Sequence, residues 1–124
     1  MIKSISSLLF YSNDLDKTFE FYKSLGFEVE KDEKTGVVSF YVNWFSVNFI
    51  DREHSTFKSG FDGELGRGMF TYVKVDDVDA FYKSLIDKGI KPVSEPKDWE
   101  WGNREFVVKD PDGYRLVFFD KIKK

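Results

Sequence analysis

One histidine, no cysteine and three tryptophans bound the chemistry open to this 124-residue chain. Without cysteine there is no thiolate nucleophile, no thiolate metal site and no disulfide framework. His54 stands beside Asp51 and Glu53, so it could serve as a general base or join those carboxylates around a metal. Nothing in the sequence places an orienting partner next to it, and a solvated loop histidine is the commoner outcome. No local signature of Ser-His-Asp catalysis is present. What remains is shape, stacking and charge. Trp44, Trp99 and Trp101 flank expected strand ends, and Glu95, Asp98 and Glu100 surround the last two. Such an acidic and aromatic loop could attract a cation, with a solvated charge run as the alternative. Arg104 could hold an anionic group or, more commonly, pair with a carboxylate.

The elements that must position these residues come from a repeat. Phe-Tyr-Lys-Ser-Leu occurs at Phe21 to Leu25 and again at Phe81 to Leu85, an offset of 60. The flanks give a different register: Asp14 matches Asp77 and Gly26 matches Gly89, an offset of 63 without a gap. That register superposes Leu15, Phe19 and Tyr22 on Val78, Tyr82 and Leu85, one apolar stripe at helical spacing. Asp14 and Asp77 suit helix N-caps, and Gly26 and Gly89 suit left-handed C-terminal positions. Strands are expected at Ser4 to Tyr11, Phe27 to Lys31, Val37 to Val42 and Phe45 to Asp51. In the second half they are expected at Met69 to Val75, Ile90 to Val93, Arg104 to Lys109 and Tyr114 to Phe119. Helices fall at about residues 15–25 and 78–88. Each half therefore reads β-α-β-β-β, with residues 52 to 68, rich in glycine, as the linker. Asp110-Pro111-Asp112-Gly113 is a turn in which proline fixes one dihedral and glycine permits a positive one.

Length fits a single domain of residues 1–124, built from repeats 1–51 and 69–120. The net charge of −3 argues against a nucleic-acid partner. No run of about 18 apolar residues exists, and Met1-Ile2-Lys3-Ser4 does not begin a signal-peptide core, so a cytoplasmic protein without a membrane partner is expected. Fourteen phenylalanines suit a β-rich core, and some of them could line a ligand cavity.

The chain resembles the vicinal oxygen chelate superfamily, which includes glyoxalase I, extradiol dioxygenases and bleomycin-resistance proteins. The resemblance is carried by Asn13-Asp14-Leu15 leading to Phe21-Tyr22, by Val75-Asp76-Asp77-Val78, and by Trp101-Gly102-Asn103-Arg104-Glu105-Phe106 before Asp110-Pro111-Asp112-Gly113. The last of these is most like the bleomycin-resistance branch. The resemblance implies an α+β fold of two β-α-β-β-β modules, each a curved mixed sheet with a helix on one face, pairing around a cavity. Enzymes of the superfamily hold a metal with His, Glu or Gln at one inward position on each of four strands. Those positions fall here on Ser7, Asn48, Phe70 and Val117. Phe and Val have no lone pairs to give, and Ser and Asn are weak ligands, so neither the inherited metal nor another cofactor is expected. A register one residue off offers Ser6 or Leu8, Val47 or Phe49, Met69 or Thr71, and Leu116 or Phe118, none of which restores it. The resemblance then implies a homodimer that sequesters a small molecule without chemistry; the loop tryptophans, the inward alternation of the strands and the charge of Arg104 give Trp101, Trp99, Trp44, Phe70, Tyr72, Asn48, Ser7 and Arg104 as candidate contacts. The alternatives are a glyoxalase- or dioxygenase-like enzyme with a relocated metal, and a structural or regulatory dimer with a filled cavity.

Overall fold

The computed structural model describes residues 1–54 and 63–123. Chain order is β1 (Ser7–Ser12), α1 (Leu15–Leu25), β2 (Val29–Lys31), β3 (Val38–Val42), β4 (Phe45–Asp51), β5 (Phe70–Lys74), α2 (Val78–Asp87), β6 (Lys97–Asp98), β7 (Asn103–Lys109) and β8 (Arg115–Lys121). Two compact units divide it, Met1–Leu65 and Gly66–Lys124. Each holds one helix and a four-stranded mixed sheet, in the orders β1-β4-β3-β2 and β5-β8-β7-β6. The glycine-rich stretch expected between the repeats lies partly at residues 55–62, outside the described residues.

Local chemistry repeats at the 63-residue offset. The Asp14 carboxylate accepts from the Lys17 amide at 3.1 Å, and the Asp77 carboxylate accepts from the Ala80 amide at 3.0 Å. Each satisfies an amide that the first helical turn leaves unpaired, which is worth about 1 kcal/mol. At the other end the Phe27 amide donates to the Tyr22 carbonyl, and the Ile90 amide to the Leu85 carbonyl. Both bonds need the chain to reverse through a positive φ, supplied by Gly26 (φ 111°) and Gly89 (φ 83°).

The helices decide which sheet face is the core. In the first unit Tyr22 of α1 sits 4.8 Å from Phe49 and 5.3 Å from Phe40, ring to ring. Thr18 reaches β1, its hydroxyl 2.8 Å from that of Ser12. In the second unit Phe81 of α2 lies 4.7 Å from Phe118, and Tyr82 packs edge-on against Phe106. Phe49, Phe106 and Phe118 are fully buried. Because side chains alternate along a strand, the opposite, helix-distal faces follow from the register. The first unit presents Ser7, Leu9 and Tyr11 of β1 beside Ser46, Asn48 and Ile50 of β4. The second presents Phe70, Tyr72 and Lys74 of β5 beside Arg115, Val117 and Phe119 of β8, with Glu105 and Val107 from β7.

Two strand expectations are corrected. β1 begins at Ser7 rather than Ser4. The strand expected at Ile90 to Val93 is absent, and the short edge strand is Lys97–Asp98, paired with Glu105 and Arg104. Pro92 has no amide to give a ladder. The neighbouring chain still runs along β7, where the Val93 amide donates to the Val107 carbonyl at 2.7 Å, but the returning Val107 amide is taken by the Ser94 hydroxyl. A side chain thus does the work of the backbone acceptor, and no regular ladder forms.

Candidate ligand-binding site

The β6–β7 hairpin builds the most distinctive surface of the second unit. Asp98 pairs with Arg104 across it. The turn closes through the Trp99 amide to the Asn103 carbonyl at 2.8 Å and the Gly102 amide to the Trp99 carbonyl at 3.0 Å. Gly102 at φ 95° permits that tight return. The turn brings Trp99 and Trp101 together as a parallel stack, with centroids 4.7 Å apart and ring planes within 9°. Trp101 remains 54% exposed, so the stack is a platform at the surface and not core packing. The Lys97 ammonium lies 4.1 Å from the centre of the Trp99 ring. The stacked rings leave no room for an ammonium between them, so Lys97 occupies the face of Trp99 turned away from Trp101.

The edge of Trp101 is fixed from below. Its indole Nε1–H donates to Glu105 Oε2 at 2.8 Å, and Asn103 Nδ2 donates to the same oxygen at 3.2 Å. Glu105 is 5% exposed. Farther across the same sheet face, Tyr72 meets Phe119 edge-on at 5.6 Å, while Phe70 and Tyr72 are more than half exposed. Arg115 approaches the Phe70 ring at 6.0 Å.

Arg104 belongs to the other face, where it pairs with carboxylates, the commoner of its two expected roles. Its guanidinium holds Asp79 of α2 through two bonds of 2.9 Å and reaches Asp98 at 3.0 Å. Hydrogen bonding from Arg104 holds the Asp79 carboxyl below its usual range, and the bonds to Asp79 and Asp98 raise the Arg104 guanidinium above its own. Asp98 is therefore spent on an internal ion pair rather than on the aromatic loop, while Glu95 and Glu100 are exposed. A cleft of about 310 Å³ opens on this helix-bearing side, lined by Asp76 to Asp79, Asp98, Arg104 and Asp120 among others.

In the first unit Trp44 follows Asn43, which turns the β3–β4 hairpin at φ 57°, and Trp44 is 69% exposed. Asn48 is not an idle donor set: its Oδ1 accepts from Ser39 at 2.8 Å, and its Nδ2 donates to the Leu8 carbonyl and the Ser46 hydroxyl, both at 3.1 Å. Ser7 is exposed at the start of β1. The His54 amide closes a turn onto the Asp51 carbonyl at 2.9 Å, and among the described residues no group of three or more His, Cys, Asp or Glu is arranged to hold a metal.

A family model for this fold and sequence pattern matches residues 4–118. The chain belongs to the glyoxalase/bleomycin resistance protein/dioxygenase superfamily. It is 32% identical over 108 residues to the uncharacterized protein YraH of Bacillus subtilis, covering 81% of this chain and 84% of that one. It is 36% identical over 52 residues to a bleomycin resistance protein of Geobacillus stearothermophilus, a match spanning 41% of this chain and 39% of the relative. Among solved structures, a bleomycin-binding protein complexed with bleomycin superposes with a TM-score of 0.68 at 23% identity, covering 98% of this chain and all of that one.

Membership in the superfamily allows a fit test for its metal. Leu9 pairs with Asn48 and the equivalent Tyr72 pairs with Val117, so Asn48 and Val117 occupy matching places in the two sheets, as Ser7 and Phe70 do at the offset of 63. Phe70 and Val117 cannot ligate, and the Asn48 amide oxygen is already taken by Ser39. The residues at these positions do not fit a superfamily metal. Sequence reasoning missed Glu105 and Lys97. The signal was available in the alternation around Phe106 and Val108: if those face the helix, so does Arg104, and Glu105 points to the other side.

Proposed function

We propose that this protein binds and sequesters a small planar aromatic molecule bearing a cationic group, and performs no chemistry on it. The observation that carries this reading is the surface-exposed Trp99–Trp101 stack with a lysine already seated on its far face. Stacked indoles offer a large, rigid and electron-rich surface at little conformational cost, and a cation against such a ring gains about 0.5–2 kcal/mol. Tyr72, more than half exposed on the same sheet face and packed on Phe119 beside Glu105, extends the apolar surface. The side chains at the four family ligand positions support a metal-independent binder, because a sequestering protein needs none of the groups they lack. The relatives with bleomycin in their names support a drug-like ligand, with bleomycin as one member of that class. Sequestration of such a drug would give antibiotic resistance.

The same reading includes a homodimer within a single-domain chain. Leu9, Tyr41, Val42 and Trp44 expose large apolar area in the first unit, more than isolated surface residues require. The experiment is a tryptophan-fluorescence titration of the purified protein against a panel of planar cations including bleomycin, with Trp101→Ala as the control and metal content measured on the same sample. Saturable quenching by at least one compound, lost in Trp101→Ala, is expected. Stoichiometric Zn, Ni, Mn or Fe that disappears on changing His54 or Asn48 would replace this reading with the enzyme.

A further inference from the structure

Glu105 is an anomaly that stacking alone does not explain. It is a carboxylate 95% removed from solvent, and both donors it receives are neutral and converge on one oxygen, Oε2. No lysine or arginine among the described residues forms an ion pair with it. Lys97, directly across the β6–β7 ladder and on the same face, is the obvious counter-ion. Its ammonium lies instead over the Trp99 ring. A buried carboxylate without a cation is costly, and two hydrogen bonds from neutral groups offset only part of that cost. Among the described residues Oε1 has no hydrogen-bond partner, yet it is not one of their sealed, unsatisfied buried side-chain atoms. It therefore keeps some contact with solvent, beside the oxygen that holds the Trp101 indole.

We infer that Glu105 is the charge-selecting anchor of the binding site: Oε1 receives a protonated amine, amidine or guanidine nitrogen of a ligand whose aromatic part stacks on Trp101. This rests on the sequestration reading and adds the group that would make it selective for cations. The two roles meet in one side chain, since Oε2 holds the indole in place while Oε1 completes the pair with the ligand. A hydrogen bond between oppositely charged partners in an occluded site is roughly twice as strong as a neutral one. Steric fit to the tryptophans gives no preference between a cation and a neutral isostere of the same size, and the cation–π attraction of the indole face survives removal of the Glu105 charge, so the part of the preference lost in Glu105→Gln belongs to the carboxylate.

The probes are naphthylmethylamine, a cation at neutral pH, and its neutral isostere naphthylmethanol, titrated into the full chain. Binding is followed at the Trp101 indole N–H resonance in a proton–nitrogen spectrum. The amine is expected to bind about tenfold or more tightly than the alcohol, the size of a charge-assisted hydrogen bond. Glu105→Gln keeps an acceptor for the indole and removes the charge. It should cost the amine about tenfold and the alcohol far less, so that most of the preference is lost, and it should not lower the melting temperature. Glu105→Ala should weaken both probes, because the indole loses its anchor. Equal affinity of the two probes for the natural protein, with Trp101→Ala abolishing both, would overturn the anchor and leave sequestration standing. So would an equal loss of both probes in Glu105→Gln, which would make Glu105 a positioning residue only. Failure of both probes to move the Trp101 resonance would overturn both readings together.

Discussion

Arg104 grips Asp79 in a two-pronged pair, Nε to Oδ2 and Nη2 to Oδ1, each at 2.9 Å. The pair ties the sheet edge to the first turn of α2, where a negative charge is also favoured by the helix dipole. Asp98 at 3.0 Å makes it a three-residue clamp between α2, β6 and β7. The Asp79 side chain is 61% exposed, so solvent screens much of the attraction.

Arg104→Gln should therefore cost about 1 kcal/mol at neutral pH, read as a fall in the denaturation midpoint. The Asp79 carboxyl is depressed, chiefly by hydrogen bonding to Arg104, so its contribution is present above the unfolded carboxylate value of about 3.9 and is lost as pH falls through the lower folded value. Arg104 is raised, chiefly by its bond to Asp79, and a raised cation contributes at every pH below its unfolded value. The midpoints of the natural protein and the variant should differ by a constant amount from about pH 5 to pH 9 and converge below about pH 4. Ligand affinity should not change, since Arg104 lies on the face opposite Trp101.

The tryptophan pair should divide its roles. Trp101 offers its outer face, and Trp99 backs it from the side that Lys97 closes. Trp101→Ala should remove ligand binding and lower stability by about 1–3 kcal/mol, because it loses the stacked pair and takes one donor from the buried Glu105 carboxylate. Trp99→Ala should weaken binding only partially, by freeing Trp101 to move. Thermal melts and fluorescence titrations on the two variants separate these outcomes, and complete loss of binding in Trp99→Ala would reverse the assignment.

How far the sequence carried depends on the range of the interactions involved. Asp14, Asp77, Gly26 and Gly89 act within one helical turn, so their spacing alone located both helices and the repeat. The equivalence of Ser7 with Phe70 and of Leu9 with Tyr72 was reachable because the offset of 63 carries over from the helices to the preceding strands, whereas the pairing of Leu9 with Asn48 and of Tyr72 with Val117 is a fact of the register. The edge strand was not legible. Ile90 to Val93 has the composition of a strand, but the partner along β7 supplies only one backbone bond there. Arg104 and Glu105 are adjacent in a strand, so they must lie on opposite faces. Which of them faces α2 is settled by Phe106 packing on Tyr82, a tertiary fact. The motif drew attention to Arg104, whereas the side chain that anchors Trp101 is its neighbour.

Asn48 offers a prediction that turns on the direction of its hydrogen bonds. The Leu8 carbonyl can only accept, so Nδ2 must point toward it and Oδ1 toward the Ser39 hydroxyl. Asn48→Asp conserves shape and moves the residue toward a metal ligand. It also loses both donated bonds and sets a carboxylate oxygen against the Leu8 carbonyl. A loss of about 1–3 kcal/mol is expected, and added zinc should not restore the melting temperature, because Phe70 and Val117 still contribute no ligand. A zinc-dependent rise in melting temperature for this variant would show a latent site at the family positions.

Gly66 gives the sharpest packing test. A Cβ built there would stand 2.3 Å from the Gly113 carbonyl carbon and 2.7 Å from the Tyr114 nitrogen, both backbone atoms of the Asp110 to Tyr114 turn. That turn is itself held rigidly. The Asp110 carboxylate accepts from the Asp112 amide at 2.8 Å and the Tyr114 amide at 3.0 Å, and the backbone adds Asp110 N–H to the Tyr114 carbonyl at 2.8 Å. It cannot yield as a flexible side chain would. Gly66 also has φ +85°, where a side chain adds about 1–2 kcal/mol of strain. Overpacking typically costs about 1–3 kcal/mol, so Gly66→Ala should destabilise the second unit by about 2–5 kcal/mol in all. Gly26→Ala, also at positive φ but with nothing within 4 Å of the added carbon, should show only the strain, about 1–2 kcal/mol. Denaturant midpoints of the two variants measure the difference. If they were equal, the approach of Gly66 to the Asp110 turn would carry no weight in stability.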